Sequence, residues 1–160
     1  MAATLKEKVA DFLSQEHIAI AGVSRDPSGA AAANGIYKRF RDMGYHVYAV
    51  NPKADSVEGD PCYHSVKDIP AHVDGVVIAT PESAAEQVVR DCYDAGINRV
   101  WMHSGIHSMG VSVSQSAIDF CNEHNMLVIG GACPLMFGKT SDGFHRFFGR
   151  VVGLFGGLPN

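Results

Sequence analysis

Apolar residues fall into two alternating rhythms along this 160-residue chain. Leu5, Val9, Phe12 and Leu13 recur at the spacing of one helical face, which predicts an amphipathic helix over 4–14. The run Ile18-Ala19-Ile20-Ala21 then predicts a strand from about His17 to Ala21. Ile36, Phe40 and Met43 return to the helical period, closed by Gly44 as a left-handed cap. Tyr45 to Val50 form the second expected strand, and 52–70 is irregular apart from a short strand at Cys62-Tyr63.

The third strand enters at Val73-Asp74-Gly75 and continues as the unbroken apolar run Val76 to Ala79, as in a strand covered on both faces. Thr80-Pro81-Glu82 predicts a helix start with a hydroxyl N-cap, proline at the first position and an acid in the first turn. Ala84, Val88 and Cys92 are expected inward, with Gly96 ending the helix. Asn98 to Met102 is the fourth strand. Ser112-x-x-Gln115 has the form of a capping box, opening a helix with Val113, Ala117 and Phe120 inward. Met126 to Ile129 is the fifth strand. A last helix, about 143–156, carries Phe144, Phe147, Phe148, Val151, Val152 and Phe155 in one stripe. That stripe is expected to pack on the protein's own sheet, with a homodimer contact as the alternative.

Strand and helix alternate without repeats or linkers. The pattern predicts an α/β fold: a Rossmann-like, doubly wound parallel sheet of about five strands flanked by helices. One domain is expected over 1–160, with its core at about 15–137.

Composition adds exclusions. A formal net charge of -4 argues against nucleic acid, which calls for a basic stripe. No apolar stretch approaches the roughly 20 residues of a membrane helix. The charged start Lys6-Glu7-Lys8 lacks the apolar region of a signal peptide. Cys62, Cys92, Cys121 and Cys133 show no C-x-x-C pairing and are expected as reduced thiols. The expectation is a cytoplasmic, soluble protein.

Adjacent parallel strands deliver their outgoing loops to one sheet edge, where ligands bind. Two such loops are rich in anion-binding groups. Gly22-Val23-Ser24-Arg25 follows the first strand: Gly22 permits a tight turn, main-chain N–H groups from Ser24 onward offer an anion site, and Arg25 offers a bidentate grip. Asn51-Pro52-Lys53 follows the second: Pro52 fixes the exit, Asn51 offers an amide and Lys53 a cation. The dinucleotide pattern G-x-G-x-x-G is missing, and Asn51 and Lys53 stand where an acid would hold the NAD ribose. The pair therefore suits a nucleotide with an extra phosphate. A plain turn and a solvated lysine are the alternatives.

Ala79-Thr80-Pro81 and Trp101-Met102-His103 lie at the mouths of the next two strands. Trp101 is a candidate stacking residue or a core residue. His103 and His107 lack a third metal ligand, so no metal site is expected. No G-x-S-x-G and no strand-end carboxylate pair suggests catalysis, and Asp74 lies toward the amino edge. Cys133, just past the fifth strand, is expected as an inert buried thiol.

Taken in order, Gly22-Val23-Ser24-Arg25, Gly44-Tyr45 through Val50-Asn51-Pro52-Lys53, Glu58-Gly59, Asp68-Ile69-Pro70, Val73-Asp74, Val100-Trp101-Met102 and Cys133-Pro134 resemble the small stand-alone CoA-binding proteins. Their domain is similar to the N-terminal CoA-binding domain of the succinyl-CoA synthetase α subunit. The resemblance implies CoA or acyl-CoA as ligand. It assigns Gly22, Val23, Ser24 and Arg25 to a phosphate loop, and Asn51, Pro52 and Lys53 to the adenosine and its 3′-phosphate. Ala79, Thr80 and Pro81 would follow the pantetheine arm, and Trp101 and His103 fall beside the site. Val23 replaces the more usual alanine, and His103 stands where many relatives carry glutamine. The synthetases' phosphorylated histidine and ATP-grasp partner lie in further domains, so the resemblance implies binding without ligase activity, as a sensor or carrier. An NADP-dependent reductase using Arg25 and Lys53, or an interaction subunit without ligand, are the alternatives.

Overall fold

The structure, a computed structural model, describes residues 2–26, 31–104 and 112–137. The expected tail helix, its phenylalanine stripe, His107 and Gly29 lie outside them.

Among the described residues four α-helices and seven strands follow one another. They are α1 (Leu5–Leu13), β1 (His17–Ala21), α2 (Ala31–Asp42), β2 (His46–Val50), β3 (Ser56–Val57), β4 (Asp60–Tyr63), β5 (Gly75–Ile78), α3 (Glu82–Asp94), β6 (Arg99–Met102), α4 (Gln115–Glu123) and β7 (Leu127–Gly130). The sheet order is β3-β4-β2-β1-β5-β6-β7, parallel throughout except for β3 against β4. This is a Rossmann-like α/β domain with two more strands than the five clear apolar runs predict. β4 extends the expected Cys62-Tyr63 strand. β3 has two residues, too few for a period to show.

Alternation along each strand sends side chains to two cores. Ile18, Ile20, Val77, Trp101 and Ile129 pack with Phe12 of α1 and Ile36, Tyr37 and Phe40 of α2. Ala19, Ala21, Val76, Ile78, Val100 and Met102 pack with Ala85, Val89 and Cys92 of α3 and Ala117 and Cys121 of α4. Helices thus cover both faces, and the strand ends are left as the places where loops gather. All four cysteines are buried and none forms a disulfide, and burial pushes the Cys121 thiol up to about 11.

Two helix starts differ from expectation. The N-cap of α3 is Pro81, without a side-chain cap; the Thr80 hydroxyl donates to the Pro81 carbonyl instead. The N-cap of α4 is Ser114, whose hydroxyl accepts from Ala117 N–H. Ser112, the expected cap, donates its hydroxyl to the Thr80 carbonyl. In both, a hydroxyl near a helix start bonds a competing backbone carbonyl, a local one for Thr80 and a tertiary one for Ser112. Among the described residues no helix is long and apolar enough to cross a membrane.

Candidate functional site

The carboxyl ends of the central strands are tied to one another before their loops diverge. Gly22 N–H donates to the Val50 carbonyl at 3.1 Å, Ala79 N–H to Ala21 at 2.9 Å, and Asn51 N–H to Tyr63 at 2.9 Å. Gly22 has φ +105°, and a Cβ there would lie 2.6 Å from the Ala79 carbonyl carbon and closer still to its oxygen. Only glycine lets the loop after β1 cross so closely over the loop after β5.

Asn51 is the second tie. Its Nδ2 donates to the Val23 carbonyl at 2.7 Å, joining the loops after β1 and β2. Its Oδ1 accepts from Lys53 N–H at 2.8 Å, an Asx turn around Pro52. The sequence suggests Asn51 as an amide for a base or ribose; both ends of that amide are engaged with the protein. Lys53 is exposed on the turn that Asn51 holds.

These ties bound a cleft of about 380 Å3. Gly22, Asn51, Pro52, Lys53, Thr80 and Pro81 line it together, six of the residues that the sequence nominates. Ala84 and Val88 of α3 add an apolar wall with Val50 and Val66. The sequence places Ala84 and Val88 in the core; the core positions are Ala85 and Val89, one residue later, and Ala84 and Val88 are half-buried.

His64, Ser65, Gln87 and Asp91, which no sequence motif marks, add polar groups to the lining. The Asp91 carboxylate accepts from Ser65 Oγ at 3.3 Å and Gln87 Nε2 at 3.0 Å, and pairs with Lys67 Nζ at 3.4 Å. A signal is present all the same: 80, 84, 87, 88 and 91 share one helical face running from the expected loop.

The remaining nominated residues lie apart from this cleft. Val23 is fully buried. Ser24 and Arg25 line a second hollow of about 280 Å3, with Asn34 of α2 and Glu58 and Gly59 of the β3–β4 turn. Ser24 N–H, an expected anion donor, donates to Asn34 Oδ1 at 2.9 Å. Ala79 is half-buried beneath Gly22.

Trp101 has no exposed surface to stack on a ligand. It packs edge-on against Phe12 at 5.5 Å and beside Phe137 at 5.7 Å, and its Nε1 donates to the carbonyls of Gly131 and Ala132. His103 is 3% exposed, and burial lowers its pKa to about 4. Neither lines the cleft. Among the described residues no cluster of three or more histidine, cysteine or acidic side chains could hold a metal ion.

The cleft thus has an apolar wall, carries Lys53, His64 and Asp91 among its polar lining, and is built from the loops of a three-strand centre. Residues 16–139 match the model of the CoA binding domain family. The chain belongs to that family.

Relatives agree with the assignment. The ADP-forming acetate–CoA ligase I of Archaeoglobus fulgidus is 28% identical over 137 residues, covering 83% of this chain and 20% of the ligase. The α subunit of the Pyrococcus furiosus ADP-forming acetate–CoA ligase I is 30% identical over 137 residues, covering 79% of this chain and 29% of the subunit. The chain therefore spans less than a third of either relative's length. A solved structure of a hypothetical protein from Pyrococcus horikoshii OT3 superposes with a TM-score of 0.72 at 26% identity, covering 84% of this chain and 94% of that one. The same fold thus occurs both as most of a small chain and as part of larger ligases.

Proposed function

We propose that this chain binds coenzyme A or an acyl-CoA in the carboxyl-edge cleft, as a non-catalytic module that senses or carries the ligand. The observation that carries the reading is a coincidence of independent criteria. The family match concerns CoA, and six residues nominated by their place after strands line one cleft.

The chemistry of the cleft is consistent with such a ligand. Val50, Val66, Ala84 and Val88 give apolar surface suited to adenine, while Lys53 supplies a cation for the 3′-phosphate that CoA has and NAD lacks. Arg25, the last residue of the proposed phosphate loop, is exposed, and Thr80 and Pro81 would border the path of the pantetheine arm. Ligase chemistry is not part of the proposal, because the relatives' ligase chains extend far beyond the matched region.

A thermal-shift series with CoA, NAD and NADP tests the reading. Ligand binding stabilises by RT ln(1 + [L]/Kd), about 2.7 kcal/mol at ~100 times Kd. CoA is expected to raise the melting temperature while NAD does not. Stabilisation by NADP with none from CoA would replace this reading with the reductase.

A further inference from the structure

We propose that Asn34 and Glu58 are positioning residues for the phosphate loop, fixing the Ser24 peptide so that Arg25 is left to meet the ligand's diphosphate. The inference rests on the CoA reading and adds to it residues that neither the family match nor the sequence motifs single out for this role.

Asn34 is a polar side chain 4% exposed on α2. Its amide clasps Ser24 at both ends: Ser24 N–H donates to Oδ1 at 2.9 Å, and Nδ2 donates to the Ser24 carbonyl at 2.8 Å. The second donor of Nδ2 goes to Glu58 Oε1 at 3.0 Å. A carboxylate only accepts, so Glu58 holds the amide with its nitrogen toward the hairpin and its oxygen toward Ser24 N–H. Rotated the other way, the buried amide would set donor against donor and oxygen against carboxylate.

Glu58 is itself held. The two-residue β3–β4 turn has φ +53° at Glu58 and +81° at Gly59. The Glu58 carbonyl accepts from Arg41 Nη1 at 3.0 Å, and its carboxylate lies 3.8 Å from Lys38 Nζ. Asp60, one residue past Gly59, accepts from Tyr37 Oη at 2.7 Å and Arg41 Nη1 at 2.8 Å. Residues 34, 37, 38 and 41 form one face of α2, so the helix carries the hairpin's position to the loop.

The consequence is a division of donors. Ser24 N–H is taken by Asn34, and Asp26 N–H donates to Ser24 Oγ at 3.1 Å. Among the described residues Arg25 has no hydrogen-bond partner, which leaves its main-chain N–H and guanidinium for an anion. In this arrangement Asn34 and Glu58 act through the Ser24 peptide, which sets where Arg25 stands.

Calorimetry with two ligands tests the clasp. CoA carries the diphosphate; 3′-AMP carries the phosphate assigned to Lys53 and lacks the diphosphate. Asn34→Ala and Glu58→Ala are expected to weaken CoA about tenfold, the loss of one charge-assisted contact, and to leave 3′-AMP binding unchanged. Glu58→Gln, which keeps an acceptor oxygen, is expected to bind CoA as the native chain does. Native CoA affinity in both alanine variants, or equal weakening of both ligands, would overturn the proposal. A native chain that binds no CoA would instead overturn the reading beneath it. Glu58 is a turn residue, so its variants keep the test open should Asn34→Ala fail to fold.

Discussion

The two edges of the sheet carry clefts of similar size and opposite character. At the amino edge a hollow of about 330 Å3 lies beside the turn into β5, lined in part by Lys67, His72 and Asp94. The nearby Asp74 is committed to the protein itself. It accepts from His17 N–H at 2.9 Å, Glu16 N–H at 3.3 Å and His72 Nε2 at 2.9 Å. Burial raises its pKa, but these donors outweigh burial and hold the carboxyl below its usual range. At the carboxyl edge the loops are tied by backbone and by Asn51, while Lys53 stays exposed over an apolar floor. A parallel sheet builds this asymmetry, because the crossover helices start at the carboxyl edge and the loops there diverge around a gap. At the amino edge Asp74 is fully engaged with the protein, whereas at the carboxyl edge Lys53 stands exposed.

A pair of glycines breaks the comparison most sharply. Gly22→Ala would place a Cβ 2.6 Å from a main-chain carbonyl carbon at φ +105°. It is expected to cost about 3 kcal/mol or more and to abolish CoA binding, because neither the strained backbone nor the β5 loop can yield easily. Denaturant unfolding with calorimetry checks both effects. A native-like Gly22→Ala would show that the two loops do not cross as described.

Burial of His103 predicts an acid-sensitive carboxyl side. With a folded pKa of about 4 and an unfolded value of about 6.5, the unfolded chain binds the extra proton between those values. Stability is therefore full above about pH 6.5 and falls as pH drops toward 4, by up to about 3 kcal/mol. His103→Gln, which removes the titrating group, is expected to flatten that part of the stability–pH profile. An unchanged slope would mean that His103 titrates normally.

Gly75, at the amino end of β5, completes the contrast. A Cβ there meets the Phe12 ring at 2.8 Å, a side chain and not a backbone. Gly75→Ala is expected to cost about 1–3 kcal/mol, the usual range for overpacking, without changing CoA affinity. Loss of binding in this variant at full folding would erase the distinction between the edges.

Legibility in the sequence follows the same division. The five central strands are readable because strands buried on both faces are continuous apolar runs, as at Val76-Val77-Ile78. β3 is not, since a two-residue strand pairs through its turn and carries no period. The helix starts expected at Thr80 and Ser112 shift because each hydroxyl has a competing backbone partner, the adjacent Pro81 carbonyl for Thr80 and the distant Thr80 carbonyl for Ser112. Of the site, the loop residues Gly22, Asn51, Lys53 and Thr80 are legible from their place after strands. Ser65 is not, because its contact with Asp91, 26 residues away in the chain, leaves no local pattern. Trp101 and His103 sit at a strand mouth by sequence, yet their side chains belong to the interior. Chain order locates the strand end; packing decides which way the side chain goes.

The measurement closest to the central claim pairs one change in the protein with one in the ligand. Native chain and Lys53→Ala are titrated calorimetrically with CoA and with dephospho-CoA, which lacks the 3′-phosphate. Lys53→Ala is expected to weaken CoA by roughly 1.5–3 kcal/mol, typical of a charged hydrogen bond, and to leave dephospho-CoA nearly unaffected. Non-additivity across this cycle would place Lys53 on the 3′-phosphate. Additive effects, or a Lys53→Ala chain that binds CoA as tightly as the native one, would contradict that placement.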